Sequence, residues 1–206
     1  MDQVARVSMQ SRRSVRFALA GRVWCCICLL VTALLPDVPA ASGQQNAQRN
    51  PLLASEYEVK AAFLLNFTKF IAWPAAASPP DHSFPICVYG EDPFGKVLDQ
   101  IVEGERVDNR PVTVRRISGS FTGPCRILFV GQSERDARKI LAEVPQGVLT
   151  VGDDGGFLHQ GGMIGLAVEN RRVRFDVDLR AAARAGLRVS SRLLSVARSV
   201  ENQGRQ

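Results

Sequence analysis

Phe84–Gly104 reads FPICVYGEDPFGKVLDQIVEG. Its first third is a short, nearly continuous apolar run closed by Gly90, the mark of a strand buried on both faces rather than on one. The remainder predicts a helix, with Asp92 as N-cap, Pro93 at the first helical position, and Val97, Leu98 and Ile101 turned inward. A doubly buried strand feeding a helix is half of a βαβ unit, and such units impose a mostly parallel sheet covered by helices.

The same grammar recurs on either side. RPVTVRRI (Arg110–Ile117) alternates and predicts a second, more exposed strand; CRILFVG (Cys125–Gly131) is a third, fully apolar, followed by a polar helix over Ser133–Glu143. VLTVGD, MIGLAVE and RVRFDV, starting at Val148, Met163 and Arg172, predict strands four to six, with ENRR as the tight turn between the last two. Helices over Leu179–Ala185 and from Ser190 to about Val200 close the chain. Upstream, SEYEVKAAFLLNFTKFIAWP places Ser55 and Glu58 at capping-box spacing, repeats Val59, Phe63, Phe67, Phe70 and Ile71 on one helical face, and stops at Pro74. The expected fold is a single three-layer α/β domain: a mostly parallel central sheet flanked by helices, with a C-terminal hairpin and closing helices. Cys87 and Cys125 then fall on neighbouring strands or at their entrances.

The amino terminus predicts export. Arg6, Arg12, Arg13, Arg16 and Arg22 precede the apolar run Val23–Leu35, and Val38 and Ala40 fit the small-residue rule for cleavage after Ala40. That apolar run is short of the ~20 residues a spanning helix needs. Residues 1–40 are read as a cleaved secretory signal, 41–54 as a disordered leader, 55–200 as the domain and 201–206 as a tail, which puts the protein in the periplasm. Removing the signal lowers the formal net charge from +6 to +3 and takes Cys25, Cys26 and Cys28 with it. Cys87 and Cys125 remain, and an even pair in an exported chain reads as a disulfide, the alternative being two buried free thiols. Closing a loop of about 39 residues stabilises by roughly 4 kcal/mol in the chain-entropy model.

The glycines of VLTVGDDGGFLHQGGMIGL (Val148–Leu166) raise the question of a phosphate loop. No Lys or Arg occurs between Lys139 and Arg171, Asp153 and Asp154 add negative charge, and neither the P-loop nor the dinucleotide pattern is present, so nucleotide binding there is not expected. Gly155 and Gly156 are expected to supply a backbone shape forbidden to other residues, and Gly161 and Gly162 to let the next strand enter close packing. His82 and His159 lack a second ligand at useful spacing, so no metal is expected, and no cofactor motif occurs. There is no G-x-S-x-G elbow. Convergent carboxylates among Glu91, Asp92, Asp153, Asp154, Asp176 and Asp178 are the one hydrolytic alternative. From Arg171 onward, nine arginines face Asp176, Asp178 and Glu201, with Arg180, Arg184, Arg188 and Arg192 spaced by four and Gly186 interrupting them. Such a stretch is either a solvated face or a surface for an acidic partner; export argues against nucleic acid.

The block from Val148 to Arg198 resembles the YfiR family of exported bacterial proteins, as do FTKFIAWP, ICVYGEDPFG and CRILFVG; the resemblance covers about Tyr57–Val200. It implies a non-enzymatic periplasmic repressor of an inner-membrane diguanylate cyclase, acting by contact with the cyclase's periplasmic part and thereby limiting cyclic-di-GMP and biofilm. It also implies a homodimer and release by an outer-membrane OmpA-type lipoprotein. Cys87 and Cys125 fall at the family's more widespread disulfide, whereas the second Cys pair of better known members is missing here. Candidate contacts are Phe157 and Met163 from the loop and Arg174, Asp176, Arg184, Arg188 and Arg192 from the charged end. The alternative is a small-ligand sensor working with a sensor kinase or outer-membrane receptor, using a pocket at the carboxyl ends of the parallel strands.

Overall fold

The computed structural model describes residues 51–74, 82–134 and 137–202. The expected signal sequence, most of the leader and the last four residues lie outside them. Helix α1 spans Pro51–Phe70 and runs into the short strand β1, Ile71–Ala72. The central sheet takes β2 (Phe84–Tyr89), β3 (Arg106–Val107), β4 (Arg110–Ile117), β5 (Ile127–Val130), β6 (Leu149–Gly152), β7 (Ile164–Glu169), β8 (Arg172–Asp178) and β10 (Ser199–Glu201), in the order β10-β8-β7-β6-β5-β2-β4-β3. Pairing is parallel from β4 through β2, β5 and β6 to β7, and antiparallel in the β7–β8 and β3–β4 hairpins. β9 (Arg188–Val189) pairs with β1 in a separate two-stranded sheet. Helices α2 (Lys96–Val102), α3 (Ala137–Glu143), α4 (Leu179–Arg184) and α5 (Ser191–Leu194) complete the domain.

Alternation along the buried strands builds two cores, one on each face of the sheet. Ile86, Val88, Ile127, Phe129, Leu149 and Val151 pack against α1, α2 and α4. On the other face Cys87, Leu128, Val130 and Val148 pack against Ala137 and Ile140 of α3. β2, β5 and β6 are buried almost throughout, and β4 is half-exposed, as their sequences predict. The three-layer α/β expectation therefore holds.

Several boundaries differ. α1 begins at Pro51, so Ser55 lies inside the helix rather than at its cap, and residues 51–54 are helical. Its buried face is rotated by about one residue from the expected one: Val59 is 45% exposed, while Lys60, Ala61, Leu64, Phe67 and Ile71 are buried. Asp92 does not cap α2; its carboxylate accepts from Phe94 N and Gly95 N, closing a turn ahead of a helix that starts at Lys96. The polar helix starts at Ala137, and the last helix is one turn long, followed by the strand β10 in place of a continuing helix. Four residues of α5 satisfy their ends with Ser190 at the N-cap and yield to Asp176, which draws the following segment onto the sheet edge.

α4 shows how the chain writes its own punctuation. Asp178 Oδ1 accepts from Arg180 N and Ala181 N at the start. At the end, Gly186 adopts φ +76° while its N–H bonds Ala183 O and Leu187 N–H bonds Ala182 O, a Schellman closure. The expected break at Gly186 is thus made by a left-handed glycine.

Candidate functional site

The loop from Asp153 to Met163 joins β6 to β7 around Phe157. That ring is 1% exposed and stands against two glycines: a Cβ on Gly152 or Gly162 would come within 2.0 Å or 2.1 Å of it. Gly162 therefore serves close packing, as expected. Gly161 is instead the left-handed residue, at φ +103°, ending the 3-10 turn Leu158–Gln160 with its N–H on Leu158 O. Gly155 and Gly156 have no positive φ, which corrects the expectation that they carry the forbidden shape. Gln160 reaches across to accept from Ala137 N at 2.7 Å, so the loop caps α3. Phe157 is core, and Met163, 8% exposed, is held by its N–H on Thr150 Oγ1; neither offers a partner a free apolar side chain.

Beneath this loop lies a charge cluster. Lys60, on the buried face of α1, donates to Glu56 one turn earlier and to Asp153 at the end of β6. The Lys60 and Asp153 side chains are each 4% exposed. Tyr57 donates its hydroxyl to Asp153 Oδ2 at 2.7 Å, and its ring lies 4.6 Å from the Lys60 ammonium. Burial holds the Asp153 carboxyl above the usual carboxylate range; hydrogen bonds from Lys60 and Tyr57 pull it back and the charge of Glu56 pushes it up. Burial and the Asp153 carboxylate push the Tyr57 hydroxyl well above its ordinary value. The cluster locks α1 to the carboxyl end of the parallel strands. Hydrophobic periodicity passes over it because it puts a lysine among core positions; its partner is 93 residues away.

Three of the other carboxylates considered for hydrolysis are engaged elsewhere. Asp92 meets Arg116, Asp178 caps α4, and Asp176 accepts from Arg198 and from Ser199 Oγ at 2.7 Å. Asp176 thus ties β10 to β8, a role that Arg198, missed as a site residue, completes. Among the described residues no group of three or more His, Cys, Asp or Glu side chains is arranged to hold a metal ion. At the switch point of the sheet, between β2 and β5, the Glu134 carboxylate covers the bare face of Gly90. Beside it, near the ends of β2 and β4, a groove of about 700 Å³ is lined by Asp92, Asp99 and Arg116, which pair with one another.

The arginines do not form one stripe. Arg180 and Arg184 sit on α4, Arg188 on β9 and Arg192 on α5, so four-residue spacing crosses three elements. Arg174, Arg184, Arg188 and Arg192 are exposed. Arg184 shares a cavity of about 260 Å³ with Met163, Thr150 and Ala181. Cys87 and Cys125 form a disulfide, Cα atoms 5.9 Å apart, buried in the α3-side core. A family model described as YfiR/HmsC-like matches residues 57–198.

The chain belongs to the YfiR/HmsC-like family.

No curated protein matches the chain. The matched span of this YfiR/HmsC-like domain takes in the disulfide, the glycine loop, Tyr57, Lys60 and Asp153, and ends on Arg198, the residue that secures β10. No helix among the described residues is long and apolar enough to cross a membrane.

Proposed function

We propose that this YfiR/HmsC-like protein is a periplasmic regulator that represses an inner-membrane diguanylate cyclase by direct contact with the cyclase's periplasmic part. The observation that carries the reading is the family match over residues 57–198, nearly all of the domain. The physical demands of the task agree with it: repression needs different affinity for two states of a target, and no chemistry on a substrate. The exposed arginines Arg174, Arg184, Arg188 and Arg192 supply the contact surface for an acidic partner. Asp176 leaves that set because Arg198 and Ser199 occupy it. Homodimerisation and removal by an OmpA-type outer-membrane lipoprotein belong to the same reading.

Deleting the gene is expected to raise cyclic-di-GMP and biofilm, and unchanged cyclic-di-GMP across growth conditions overturns the repressor role. The contact surface is tested separately: reversing charge at Arg184, Arg188 and Arg192 together should release the cyclase's periplasmic part in a pull-down while far-UV circular dichroism stays unchanged. Retained binding would move the interface elsewhere on the molecule.

A further inference from the structure

The carboxyl ends of the parallel strands, where a ligand is sought first in such sheets, hold Glu134 over Gly90, the Lys60 cluster and the ion-paired groove at Arg116. At the opposite edge, the β3–β4 hairpin at the amino end of β4, and Arg126 just ahead of β5, face the end of α1 across a cavity of about 720 Å³. That volume is within the range of small-molecule sites, roughly 300–1,000 Å³.

The lining is strongly one-signed. Lys69, Arg106, Arg110 and Arg126 converge on the cavity, with Asp108 the single acidic residue among the described residues of its wall. Among the described residues, Lys69, Arg106 and Arg110 take part in no salt bridge. Arg126 is 4% exposed, and its guanidinium lies 6.0 Å from the centre of the Phe84 ring. Its carbonyl accepts from Trp73 Nε1 at 3.3 Å, which fixes the indole as part of the wall beside Ile71. Burial, and then the charge of Arg110, hold the Arg126 guanidinium below its ordinary pKa, as cations gathered in a low-dielectric wall require. Like charges on Lys69, Arg106 and Arg110 around one cavity repel one another, and an anion seated between them relieves that repulsion. Guanidinium groups meet phosphate and carboxylate oxygens in pairs, whereas Lys69 adds a point charge.

We propose that this cavity binds a small organic anion whose doubly charged head, a phosphate or a pair of carboxylates, sits among Arg106, Arg110 and Arg126 and whose apolar body lies on Trp73 and Ile71. The site is on the edge of the sheet away from the Lys60 cluster, and it is independent of the cyclase-binding reading: either can fail without the other.

The test is calorimetric titration of the purified protein with phenyl phosphate and with phthalate, which separate the two head groups, and with benzyl alcohol, which has the ring and no charge. At least one of the two anions is expected to bind and benzyl alcohol to show no binding. Arg110→Gln and, as a second variant at an exposed position, Lys69→Gln should each weaken the anion by about tenfold, the loss that goes with one charge-assisted hydrogen bond. Arg172→Gln, exposed on β8 and distant in the sheet from β4, should leave affinity within about twofold and controls for net charge. Failure of both anions to bind overturns the proposal. So does equal binding of benzyl alcohol, or an affinity that Lys69→Gln and Arg172→Gln change alike.

Discussion

Lys60 is the residue that sequence patterning misplaces. Ala61, Phe63, Leu64, Leu65 and Phe67 are nearly contiguous, so several helical faces fit the apolar pattern, and a lysine argues against the face that the fold uses. Removing water from an ammonium and a carboxylate costs several kcal/mol per ion, so the pair persists only because each completes the other. Asp153→Ala is therefore expected to cost about 3–5 kcal/mol in urea unfolding, because it leaves the buried Lys60 ammonium with only the more exposed Glu56 as partner, whereas Lys60→Met combined with Asp153→Leu should recover part of that loss. A double variant as unstable as the single one would assign the cluster a different role. The Asp153 carboxyl, held above its unfolded value by burial, contributes stability that is present below the unfolded pKa and lost as pH rises through the folded one. Asp153→Asn should remove that component from a pH series of unfolding midpoints. Gly152 gives a second residue-scale prediction. Gly152→Ala drives a methyl into the Phe157 ring and should cost about 1–3 kcal/mol or more, with Phe157→Ala in the same chain recovering part of the loss. Less than additive destabilisation in the double variant is the signature; strict additivity would place the clash elsewhere.

Elements announced themselves where their local chemistry suffices. β2 and β5 are nearly continuous apolar runs, and the ENRR turn closes with Asn170 and Arg171 both in the left-handed region, as a two-residue hairpin demands. Arg171 carries a side chain where glycine is easier, so Arg171→Gly should stabilise the protein by roughly 0.5–1 kcal/mol, read as a raised unfolding midpoint with unchanged slope. β10 is the opposite case. Three residues following a one-turn helix have no pattern of their own; they become a strand because Arg198 and Ser199 reach Asp176 on β8. Burial acts on Asp176 to raise its pKa, yet the Arg198 and Ser199 hydrogen bonds hold it below the usual carboxylate range. Its contribution is present above the unfolded pKa and is lost as pH falls through the folded one, so acid should free β10 first. Hydrogen exchange at Val200 and Glu201 should accelerate in that acidic window, and Asp176→Asn should show the fast exchange already at neutral pH. Equal exchange in the two chains would remove Asp176 as the anchor.

At the scale of the molecule, the disulfide joins β2 to the entrance of β5 within the α3-side core. Replacing Cys87 and Cys125 by alanine should lower stability by about 2–4 kcal/mol, and reductant added to the parent chain should do the same once the buried bond is reached. Opposite charges pair at the carboxyl ends of the parallel strands, Lys60 with Glu56 and Asp153 and Arg116 with Asp92 and Asp99, and Arg106, Arg110 and Arg126 line one cavity at the amino ends. That division follows from topology, since residues far apart in the chain reach the same edge only when the strands lie side by side. The glycine loop shows the limit of local reading. Its composition argued against a phosphate cradle, since no basic residue lies nearby in the chain, but it assigned the special backbone to Gly155 and Gly156, when the turn places it at Gly161 and packs Phe157 against Gly152 and Gly162. Periodicity and short local motifs by themselves indicated the α/β class and the six principal strands, and the quoted stretches carried the resemblance to the YfiR family, because each is written in neighbouring residues. Only the tertiary structure decided which face of α1 is buried, that Asp176 is a structural anchor, that the arginines divide among three elements, and that the cationic cavity lies at the amino ends. Those outcomes depend on burial and on charges brought together from distant parts of the chain, and neither exists until the sheet has formed.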